Sequence, residues 1–591
     1  MQMENSKNEI NKRIQQLDPE KRAALADIVK EKMAQRERSP EMPADYDVVI
    51  LGGGLAGSGL ARQLIRRRKA TRILVVEKST FPCPEVAFKV GESVTELGSY
   101  YLREVLELHE HLNEEQIEKA GVRYFFSFED NQDITRRMEV GLKRFPPVPG
   151  YQLDRGRLEN YLYKANCSEG VTFWDNCRVA DIAVGNPHKI TVKRGTEQHE
   201  VTTKWIVDAT GRAGTLKRKL DLAEQTQHAS SSAWFRISGV VSVETWTDNL
   251  KWKERIAPGI RQIGTIHLMG KGYWVWIIVL PSNATSIGIV ADPEYHSLSE
   301  FNSLEKMIQW LHKHEPQCAA VIEARKDQIQ DFLAVKHFSH GCKRLFSKDR
   351  WCITGEAGVF ADPFYSPGTD FISINNTLIC DLLMRDFEGE EIAALAEQYN
   401  FNLLGLFKLY LNTYQNQYPV MGNEQVMLAK IIWDWAIYWG VNAFMFFREN
   451  KSFDLQWLST VQSEMRRFNE LNNTMQSLFK EWDRIENPVV SDQLFSLLDL
   501  EFLYKLHTGL VVDLDSEESR AQLIENIRTL EILAREYCRY VSALKDPAEP
   551  SMKAAQELIE SLKLDQSLTA SERMQNDLST IWLSKRQQSI A

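Results

Sequence analysis

The pattern of apolar and polar positions near the start of the chain predicts a parallel β-sheet. Residues 46–51 form a short apolar run, a glycine-rich loop and a helical pattern follow, and residues 72–77 form a second apolar run. This strand–helix–strand order is typical of a doubly wound sheet, whose parallel strands are covered by helices. Residues 205–211 and 351–355 are apolar runs that end in glycine, and they predict further strands of the same sheet.

Two other patterns divide the rest of the chain. Residues 225–340 alternate and are rich in Trp, Tyr, Val and Ile, which predicts an antiparallel sheet. Residues 386–591 lack strand patterns and are typical of helices with charged faces. We therefore predict an α/β fold, α+β overall, in three parts. These are a helical extension and linker at 1–44, a core at 45–385, and an all-helical C-terminal region that covers the substrate side.

Composition limits the classes of function. The chain has 591 residues, 43% of them hydrophobic, and a formal net charge of −10, with no long basic stripe that would bind nucleic acid. Its eight cysteines form no C-x-x-C pair and the first residues are polar, so we expect a cytoplasmic protein with reduced thiols and no metal. Residues 426–447 are strongly apolar but contain Lys430 and Asp434, which favours a buried helix over a membrane span.

The loop after the first strand has the features of a dinucleotide site. Gly52 permits a tight turn, Gly54 lets the backbone approach a pyrophosphate, and Gly57 lets the helix pack on the strand. Glu77 follows at about the 20-residue spacing at which a carboxylate binds a ribose hydroxyl. The predicted cofactor-binding residues of this region are Gly52, Gly53, Gly54, Ala56, Gly57, Glu77 and Lys78.

Later motifs occur in an order that resembles the hydroxybenzoate-hydroxylase-like FAD fold. They are Asp-Arg-Gly-Arg-Leu at 154–158, Val-Asp-Ala-Thr-Gly-Arg at 207–212, and Gly-Glu-Ala-Gly at 355–358 ahead of Asp-Pro at 362–363. The resemblance covers residues 45–385. It implies FAD as the cofactor, with Arg155, Gly355 and Glu356 among its contacts. Glu356 replaces the aspartate that is usual in this fold, and its longer carboxylate can still reach a ribityl hydroxyl.

Within that fold, three segments resemble those of flavin-dependent halogenases. They are Lys-Val-Gly-Glu-Ser at 89–93, Lys-Ala-Gly-Val-Arg-Tyr-Phe at 119–125, and Trp-Val-Trp-Ile-Ile at 274–278. The resemblance implies that Gly91 and Glu92 lie along the flavin and that Lys119 is the catalytic lysine. It also implies that Trp274 and Trp276 keep the substrate away from the flavin, which suppresses direct oxygenation.

The segment Ser-Pro-Gly-Thr at 366–369 resembles the halide site of the same family. In that site, backbone N–H groups near the flavin bind an anion. Because Pro367 has no N–H, the site is expected to consist of Ser366, Gly368 and Thr369, with the last two supplying the donors.

The resemblance also implies a reaction and its partners. FADH2 from a separate flavin reductase, O2, and chloride or bromide give hypohalous acid, which Lys119 captures and delivers to an aromatic ring. Tyr365 stands where tryptophan halogenases have glutamate, so we expect a substrate-side tyrosine and a phenol- or pyrrole-like ring rather than tryptophan. The sequence leaves open whether the ring is free or tethered to a carrier protein. A role in natural-product biosynthesis is expected.

Two alternatives stay open at this point. A flavin monooxygenase or reductase of the same fold would share the FAD motifs but has no need of Lys119, Trp274 or Trp276. A flavin-binding partner subunit without catalysis is favoured by Glu356 and Pro367, which depart from the family pattern.

Overall fold

The structure, a computed structural model, describes most of the chain beyond its first 44 residues. The described residues are 45–85, 89–448, 454–486, 491–544, 550–565 and 567–582. The helical extension predicted at 1–44 lies outside them, and the three-part division of the chain stays a prediction. One hydrophobic core cluster contains Val48 of the first strand, Trp276 of the second sheet and Trp482 of the C-terminal helices, so these parts pack together.

The first sheet has eight strands and carries the glycine loop. Its main path runs through Phe346–Ser347, Trp351–Ile353, Glu197–Asp208, Tyr46–Leu51, Ile73–Val76 and Thr172–Trp174, with His188–Arg194 and Arg178–Ala183 branching from the long strand. The first strand pairs in parallel on both sides, with Val49 opposite Ile206 and Leu74. Residues 48–51 are fully buried, since helices cover both faces of a parallel sheet. The predicted parallel sheet is confirmed with all four of its predicted strands.

The second sheet also has eight strands and carries the tryptophan pair. Its order is Leu333–Val335, Ser231–Ser238, Ala284–Ala291, Tyr273–Leu280, Thr265–Gly270, Val122–Phe126, Glu139–Gly141 and Leu494–Ser496. Two pairings are parallel, that of Val122–Phe126 with Thr265–Gly270 and that of Leu494–Ser496 with Glu139–Gly141; the others are antiparallel. The antiparallel sheet predicted within 225–340 is confirmed. Its last three strands lie outside that range and have only three to five residues, too few to show a period.

A small third sheet joins two segments of the predicted site. Ser93–Val94 and Ile117–Lys119 pair with opposite edges of Gly150–Gln152, with Ser93 opposite Gln152 and Lys119 opposite Gly150. A two-stranded sheet of Ala223–Gln225 and His340–Cys342 lies elsewhere. The third sheet brings residues that are distant in the sequence to adjacent strands.

Helices cover the sheets and form most of the C-terminal region. Those that begin before residue 386 are Leu55–Arg67, Glu96–Tyr100, His109–Glu115, Arg155–Ser168, Thr215–Lys219, Leu250–Lys253, Leu304–His314, Pro316–Glu323 and Pro367–Phe387. Those that begin later are Ala393–Tyr414, Glu424–Ile437, Ala443–Phe447, Leu455–Thr460, Gln462–Ile485, Glu501–Thr508, Ser516–Ser542, Pro550–Ser561 and Glu572–Ser579. The predicted fold class is confirmed, and the strand Leu494–Ser496 is a short exception within the helical region.

The strongly apolar stretch of the C-terminal region is a buried helix, as predicted. Every residue of Glu424–Ile437 is buried, including Lys430 and Asp434, whose side chains pair at 2.9 Å. A π-helical turn, Tyr438–Asn442, continues it. Within the described ranges, no helix combines the length and the apolar character needed to cross a bilayer.

Candidate active site

A concave space of about 1190 Å³, its open mouth included, is lined by strands of the second sheet and by loops that follow strands of the first. Ten predicted site residues line it: Gly91, Glu92, Arg155, Trp274, Trp276, Gly355, Glu356, Ser366, Gly368 and Thr369. A concave chamber of this size, with apolar walls and a few polar groups, is typical of a cofactor or ligand site. The structure therefore collects the predicted cofactor, halide and tryptophan positions around one space, which we call the first cavity.

The glycine loop flanks the first cavity and does not line it. Gly52 has a φ of +104°, which glycine adopts without strain, and a Cβ atom at Gly57 would overlap the Gly52 carbonyl oxygen. Ala56 lies behind Gly355, because a Cβ atom built on Gly355 would be 3.0 Å from the Ala56 Cβ. Lys78 is exposed and does not line the cavity. The loop has the tight helix–strand packing that its glycines predict.

The groups around this loop fit an FAD pyrophosphate and ribose. Helix Leu55–Arg67 begins after Gly54 without a side-chain cap, so the N–H groups of its first turn have no acceptor in the helix and suit an anion. Glu77 accepts hydrogen bonds from the N–H groups of Gly53 and Ser79, both at 2.7 Å. These bonds hold the carboxylate at the end of the second strand, where dinucleotide folds bind a ribose hydroxyl.

Glu92 and Arg155 are held by buried ion pairs. Arg236 donates from Nε to Glu92 Oε1 at 2.9 Å, and burial raises the pKa of Glu92. Arg155 donates to the Val90 carbonyl at 2.7 Å and to Glu159 at 2.8 Å. Both predicted cofactor contacts are therefore fixed in the cavity wall by partners that the sequence analysis did not find.

Lys119 is buried, with 3% of its surface exposed. Its Nζ donates to Ser93 Oγ at 2.9 Å, and Ser93 Oγ lies 2.9 Å from Thr265 Oγ1. Ser93 and Thr265 both line the first cavity. Burial lowers the pKa of Lys119 to about 8, although the carboxyls of Glu96 and Asp370 act in the opposite direction. The amine is therefore not a solvated surface cation. It is hydrogen-bonded to the Ser93 hydroxyl, and Ser93 lines the first cavity.

Trp274 and Trp276 lie on one face of their strand and form an aromatic wall of the first cavity. Their ring centroids are 5.8 Å apart. The indole N–H of Trp274 donates to Tyr418 Oη at 3.2 Å, and that of Trp276 donates to Ser286 Oγ at 3.1 Å. His267 packs 4.7 Å from Trp274, and burial with the nearby Lys119 lowers its pKa to about 3. The wall is thus fixed by hydrogen bonds and contains a neutral imidazole.

The predicted halide segment begins a long helix. Tyr365 and Ser366 have φ values of +66° and +59°, a left-handed conformation that costs about 1–3 kcal/mol per residue and clusters at functional sites. Pro367 then starts helix Pro367–Phe387. The Ser366 N–H is already used, because it donates to the Pro363 carbonyl at 2.9 Å. Gly368 and Thr369 follow in the first turn, where N–H groups have no intrahelical acceptor.

Comparisons with known proteins agree with this geometry. Residues 134–407 match the tryptophan halogenase family. A flavin-dependent halogenase of Dictyostelium discoideum, chlA, is 26% identical over 367 residues, which are 57% of this chain and 60% of that protein. The 1H-pyrrole-2-carbonyl-[peptidyl-carrier protein] chlorinase of Pseudomonas fluorescens is 26% identical over 57% of this chain and 74% of its own length. The chain thus spans less than two thirds of the Dictyostelium relative.

These comparisons support the flavin-dependent halogenase family predicted from the sequence and, with it, FAD as the cofactor. The solved structure of the halogenase PltM superposes with a TM-score of 0.59 over 84% of this chain and 96% of that protein, at 16% identity. At that identity the likeness concerns the fold, and it extends into the C-terminal helices of this chain.

A second cavity of about 460 Å³ lies on the other side of the halide segment. Tyr365 and Asp370 line it, whereas residues 366–369 between them line the first cavity. Lys119 is near both spaces, since its partner Ser93 lines the first cavity and its electrostatic neighbour Asp370 lines the second. Tyr365, predicted for the substrate side, therefore lines the second cavity and not the first.

Asp370 was missed by sequence reasoning. It is buried, and its Oδ1 accepts hydrogen bonds from Thr95 Oγ1 at 2.9 Å and from the Gly98 N–H at 3.0 Å. Burial raises its pKa to about 7. The only available signal was its position one helical turn after Ser366, at the start of a predicted helix.

A buried polar network in the C-terminal helices supports the second cavity. Tyr365 Oη donates to Asp434 Oδ2 at 3.0 Å, and Lys430 donates to the same oxygen at 2.9 Å. Asp434 Oδ1 accepts from Gln476 at 2.8 Å. Nearer to Lys119, His507 Nε2 lies 3.2 Å from Glu96 Oε1. Side chains from the helical region thus contact the neighbours of Lys119.

Proposed function

We propose that this halogenase uses FADH2, O2 and chloride or bromide to halogenate an electron-rich aromatic ring. One observation carries the proposal: a buried lysine amine, bonded to a hydroxyl of the first cavity, stands beside a hydrogen-bonded tryptophan wall. A hydroxylase of the same fold has no need of this lysine, and a partner subunit has no need of a lysine with a lowered pKa.

FAD would be held by the glycine loop that flanks the first cavity and by residues that line it. The first turn of helix Leu55–Arg67 offers N–H groups to the pyrophosphate, and Glu77 offers a carboxylate to the ribose. Gly91 and Glu356 line the cavity farther along, where the rest of the cofactor would extend. When bound, reduced FAD supplies the reducing equivalents that O2 needs to oxidise a halide to hypohalous acid.

The halide would bind at the start of helix Pro367–Phe387. Gly368 and Thr369 carry N–H groups in the first helical turn, and both line the first cavity. The Ser366 N–H is engaged with Pro363, so Ser366 contributes its side chain and its left-handed backbone, which turns the chain into the helix. Two donors and a helix dipole are enough for a monovalent anion.

Lys119 would capture the hypohalous acid and present its halogen to the ring. As an ammonium it donates a hydrogen bond to the hypohalous oxygen. As a neutral amine it bonds to the halogen, the oxygen–halogen bond breaks, and water leaves with the displaced amine proton. A pKa of about 8 makes both forms accessible near neutral pH. Ser93 fixes the amine in either case.

The acceptor would be a ring of the phenol or pyrrole class. Two relatives are named for halogenating a pyrrole ring on a peptidyl carrier protein, and one solved neighbour is a halogenase in complex with phloroglucinol. These names motivate a carrier-bound pyrrole or a free phenol as the acceptor of this chain. A separate flavin reductase, a cytoplasmic location and a role in natural-product biosynthesis belong to the same proposal.

The test uses the full chain with FAD, NADH, a flavin reductase and bromide. Free phenols and pyrroles, and the same rings on a carrier protein, are incubated in air and analysed by mass spectrometry. A bromine isotope doublet that requires bromide and Lys119 supports the proposal. Hydroxylated products without bromination would support the monooxygenase alternative. Hydrogen peroxide alone, with every ring unchanged, would support a partner subunit.

A further inference from the structure

A buried carboxylate lies in the wall of the first cavity, shortly before the halide segment in the chain. Asp362 has no exposed surface, and it lines the first cavity together with Ser366, Gly368 and Thr369. Its Oδ1 accepts from the Phe364 N–H at 2.8 Å, in the turn that leads into the halide segment. The proposed halide site therefore shares its cavity wall with a fixed carboxylate, and a negative charge repels an anion.

His228 is the basic side chain that the structure pairs with this carboxylate. Its Nε2 lies 2.6 Å from Asp362 Oδ2, and 4% of its surface is exposed. The Tyr418 hydroxyl donates to the same oxygen at 2.7 Å. This hydroxyl and the Phe364 N–H are neutral donors, so they do not compensate the charge. A charge buried with neutral donors alone is costly, and buried charges in proteins are normally paired.

Another buried carboxylate of the same cavity has a different kind of partner. Glu92 pairs with Arg236 at 2.8 Å, and a guanidinium stays charged throughout the physiological pH range. Asp362 has an imidazole in this role, which is charged only when both of its nitrogens hold a proton. The charge at Glu92 is therefore always compensated, whereas compensation at Asp362 depends on the state of His228.

We infer that His228 is the charge-compensating residue of the halide site: as an imidazolium it neutralises Asp362, and the first turn of helix Pro367–Phe387 then binds chloride or bromide tightly. With a neutral imidazole, this part of the cavity would hold two negative charges, which is unfavourable. His228 does not line the cavity and acts through Asp362, so it is a positioning residue. The inference rests on the proposed function for the halide site, and it adds the group that controls the affinity of that site.

The experiment measures halide binding without turnover. Full-length protein loaded with oxidised FAD is titrated with chloride at constant ionic strength, and binding is followed by the broadening of the chloride NMR line. His228→Gln keeps a side-chain donor for Asp362 but cannot carry a charge. A unit charge within about 10 Å, at an effective permittivity of about 20, changes anion affinity more than tenfold. The variant should therefore bind chloride at least about tenfold more weakly than the wild type.

A second substitution separates the effect of charge from that of packing. In the double variant with His228→Gln and Asp362→Asn, a neutral amide of the same size replaces the carboxylate. Its oxygen can still accept from Phe364 and Tyr418. Because the repelling charge is gone, the double variant should recover chloride affinity to within about threefold of the wild type. If His228 only held its neighbours in place, removal of its partner would not restore binding.

His188→Gln is the matched control. His188 is 1% exposed, and its Nε2 lies 3.0 Å from the Arg350 carbonyl oxygen, which is a neutral partner. Its variant should bind chloride as the wild type does. If His228→Gln proves unstable, Asp362→Asn is titrated alone, and it should bind chloride at least as tightly as the wild type.

Three results would overturn the inference. They are unchanged chloride affinity in His228→Gln, a double variant that binds chloride no better than His228→Gln, and weaker binding by Asp362→Asn than by the wild type. Wild-type protein that binds no chloride would remove the halide site and, with it, the role of His228. FAD binding by every variant is measured first, because Asp362 lines the cavity of the cofactor.

The two proposals fail separately. Lysine-dependent bromination, together with unchanged chloride affinity in His228→Gln, would leave the halogenase function standing and remove the charge pair from the halide site. Loss of chloride affinity in His228→Gln and its recovery in the double variant, with no brominated product from any ring, would support the charge pair and remove the proposed reaction.

Discussion

Lys119 Nζ donates to Ser93 Oγ at 2.9 Å, and both residues pair with the same three-residue strand, Gly150–Gln152. The backbones of Lys119 and of its hydrogen-bond partner are therefore both held by this one strand, and neither residue lies in a free loop. A Cβ atom at Gly150 would press on the Lys119 side chain, which shows how closely the strand surrounds it. This arrangement fixes the amine between the two cavities.

Removing the amine should abolish halogenation without affecting the cofactor. Lys119→Ala and the longer, uncharged Lys119→Met should both lose at least about 100-fold in brominated product, because no lysine of the described residues lines either cavity and could replace it. FAD affinity and hydrogen peroxide release should stay near wild-type values, since Lys119 does not line the first cavity. Bromination retained by Lys119→Met would remove the lysine from the mechanism.

The halogen-transfer step should titrate near pH 8. Burial lowers the pKa of Lys119 from 10.5 to about 8 against the opposing carboxyls of Glu96 and Asp370, and the nearby His267 stays neutral. If transfer needs the neutral amine, the single-turnover rate rises through pH 8 and levels off above it. If transfer needs the ammonium, the rate falls above pH 8. A rate without inflection between pH 7 and 9 would contradict both roles.

Asp370→Asn should move this inflection to lower pH. Burial lowers the pKa of Lys119, and the Asp370 carboxyl raises it. Removal of this carboxyl should therefore lower the pKa of Lys119 further. The measurement is the same single-turnover pH profile, compared with the wild type. An inflection that stays in place or moves to higher pH would show that the two groups do not interact.

Bromide affinity should depend on one backbone N–H. Gly368→Pro removes the Gly368 donor; because a proline also disfavours a helical backbone at the preceding residue, Pro367, the melting temperature and FAD affinity of the variant are measured first. A lost hydrogen bond to a charged group of about 1.5–3 kcal/mol should raise the half-saturating bromide concentration by at least about tenfold. Gly368→Ala keeps the N–H, and its Cβ atom meets nothing within 4 Å, so it serves as the control. Equal bromide dependence in the two variants would place the halide elsewhere.

Two glycines of the dinucleotide loop should respond differently to alanine. A Cβ atom at Gly57 would overlap the Gly52 carbonyl oxygen, so Gly57→Ala should lower the free energy of unfolding by about 1–3 kcal/mol. At Gly54 the nearest atom, Glu159 Oε1, is 3.9 Å away, so Gly54→Ala should leave the melting temperature of the apoprotein almost unchanged and weaken FAD binding. Equal losses of stability in both variants would contradict this packing.

The sequence predicted the scaffold and much of the first cavity because these depend on local signals. Apolar runs, three of them leading into glycine, predicted four strands of the parallel sheet, and motifs of four or five residues predicted ten residues of the cavity wall. These signals can be read from the residue order alone. Glycines in a tight turn and two tryptophans at alternate positions of a strand are visible without knowledge of the tertiary structure.

The second cavity could not be predicted in this way, because long-range contacts form it. Thr95 and Tyr438 are 343 residues apart in the chain and lie within hydrogen-bond distance. Asp370, Tyr410 and Trp435 come from three helices, and nothing in their own neighbourhoods indicates a shared space. The strand Leu494–Ser496 was not predicted for a related reason. Its three residues lie within a helical region, and the strand with which they pair, Glu139–Gly141, is distant in the sequence.

The stretch 365–370 separates the two cavities, because residues 366–369 line the first and Tyr365 and Asp370 line the second. A ligand that displaces this stretch from one cavity also changes the other cavity. Thermodynamic linkage then requires reciprocity: a bound ring changes bromide affinity by the same factor by which bromide changes affinity for the ring. Attempts to enlarge the second cavity by substituting Tyr365 would therefore disturb discrimination between chloride and bromide. On the proposed function, a substitution in this stretch is therefore expected to change selectivity for the halide together with selectivity for the ring.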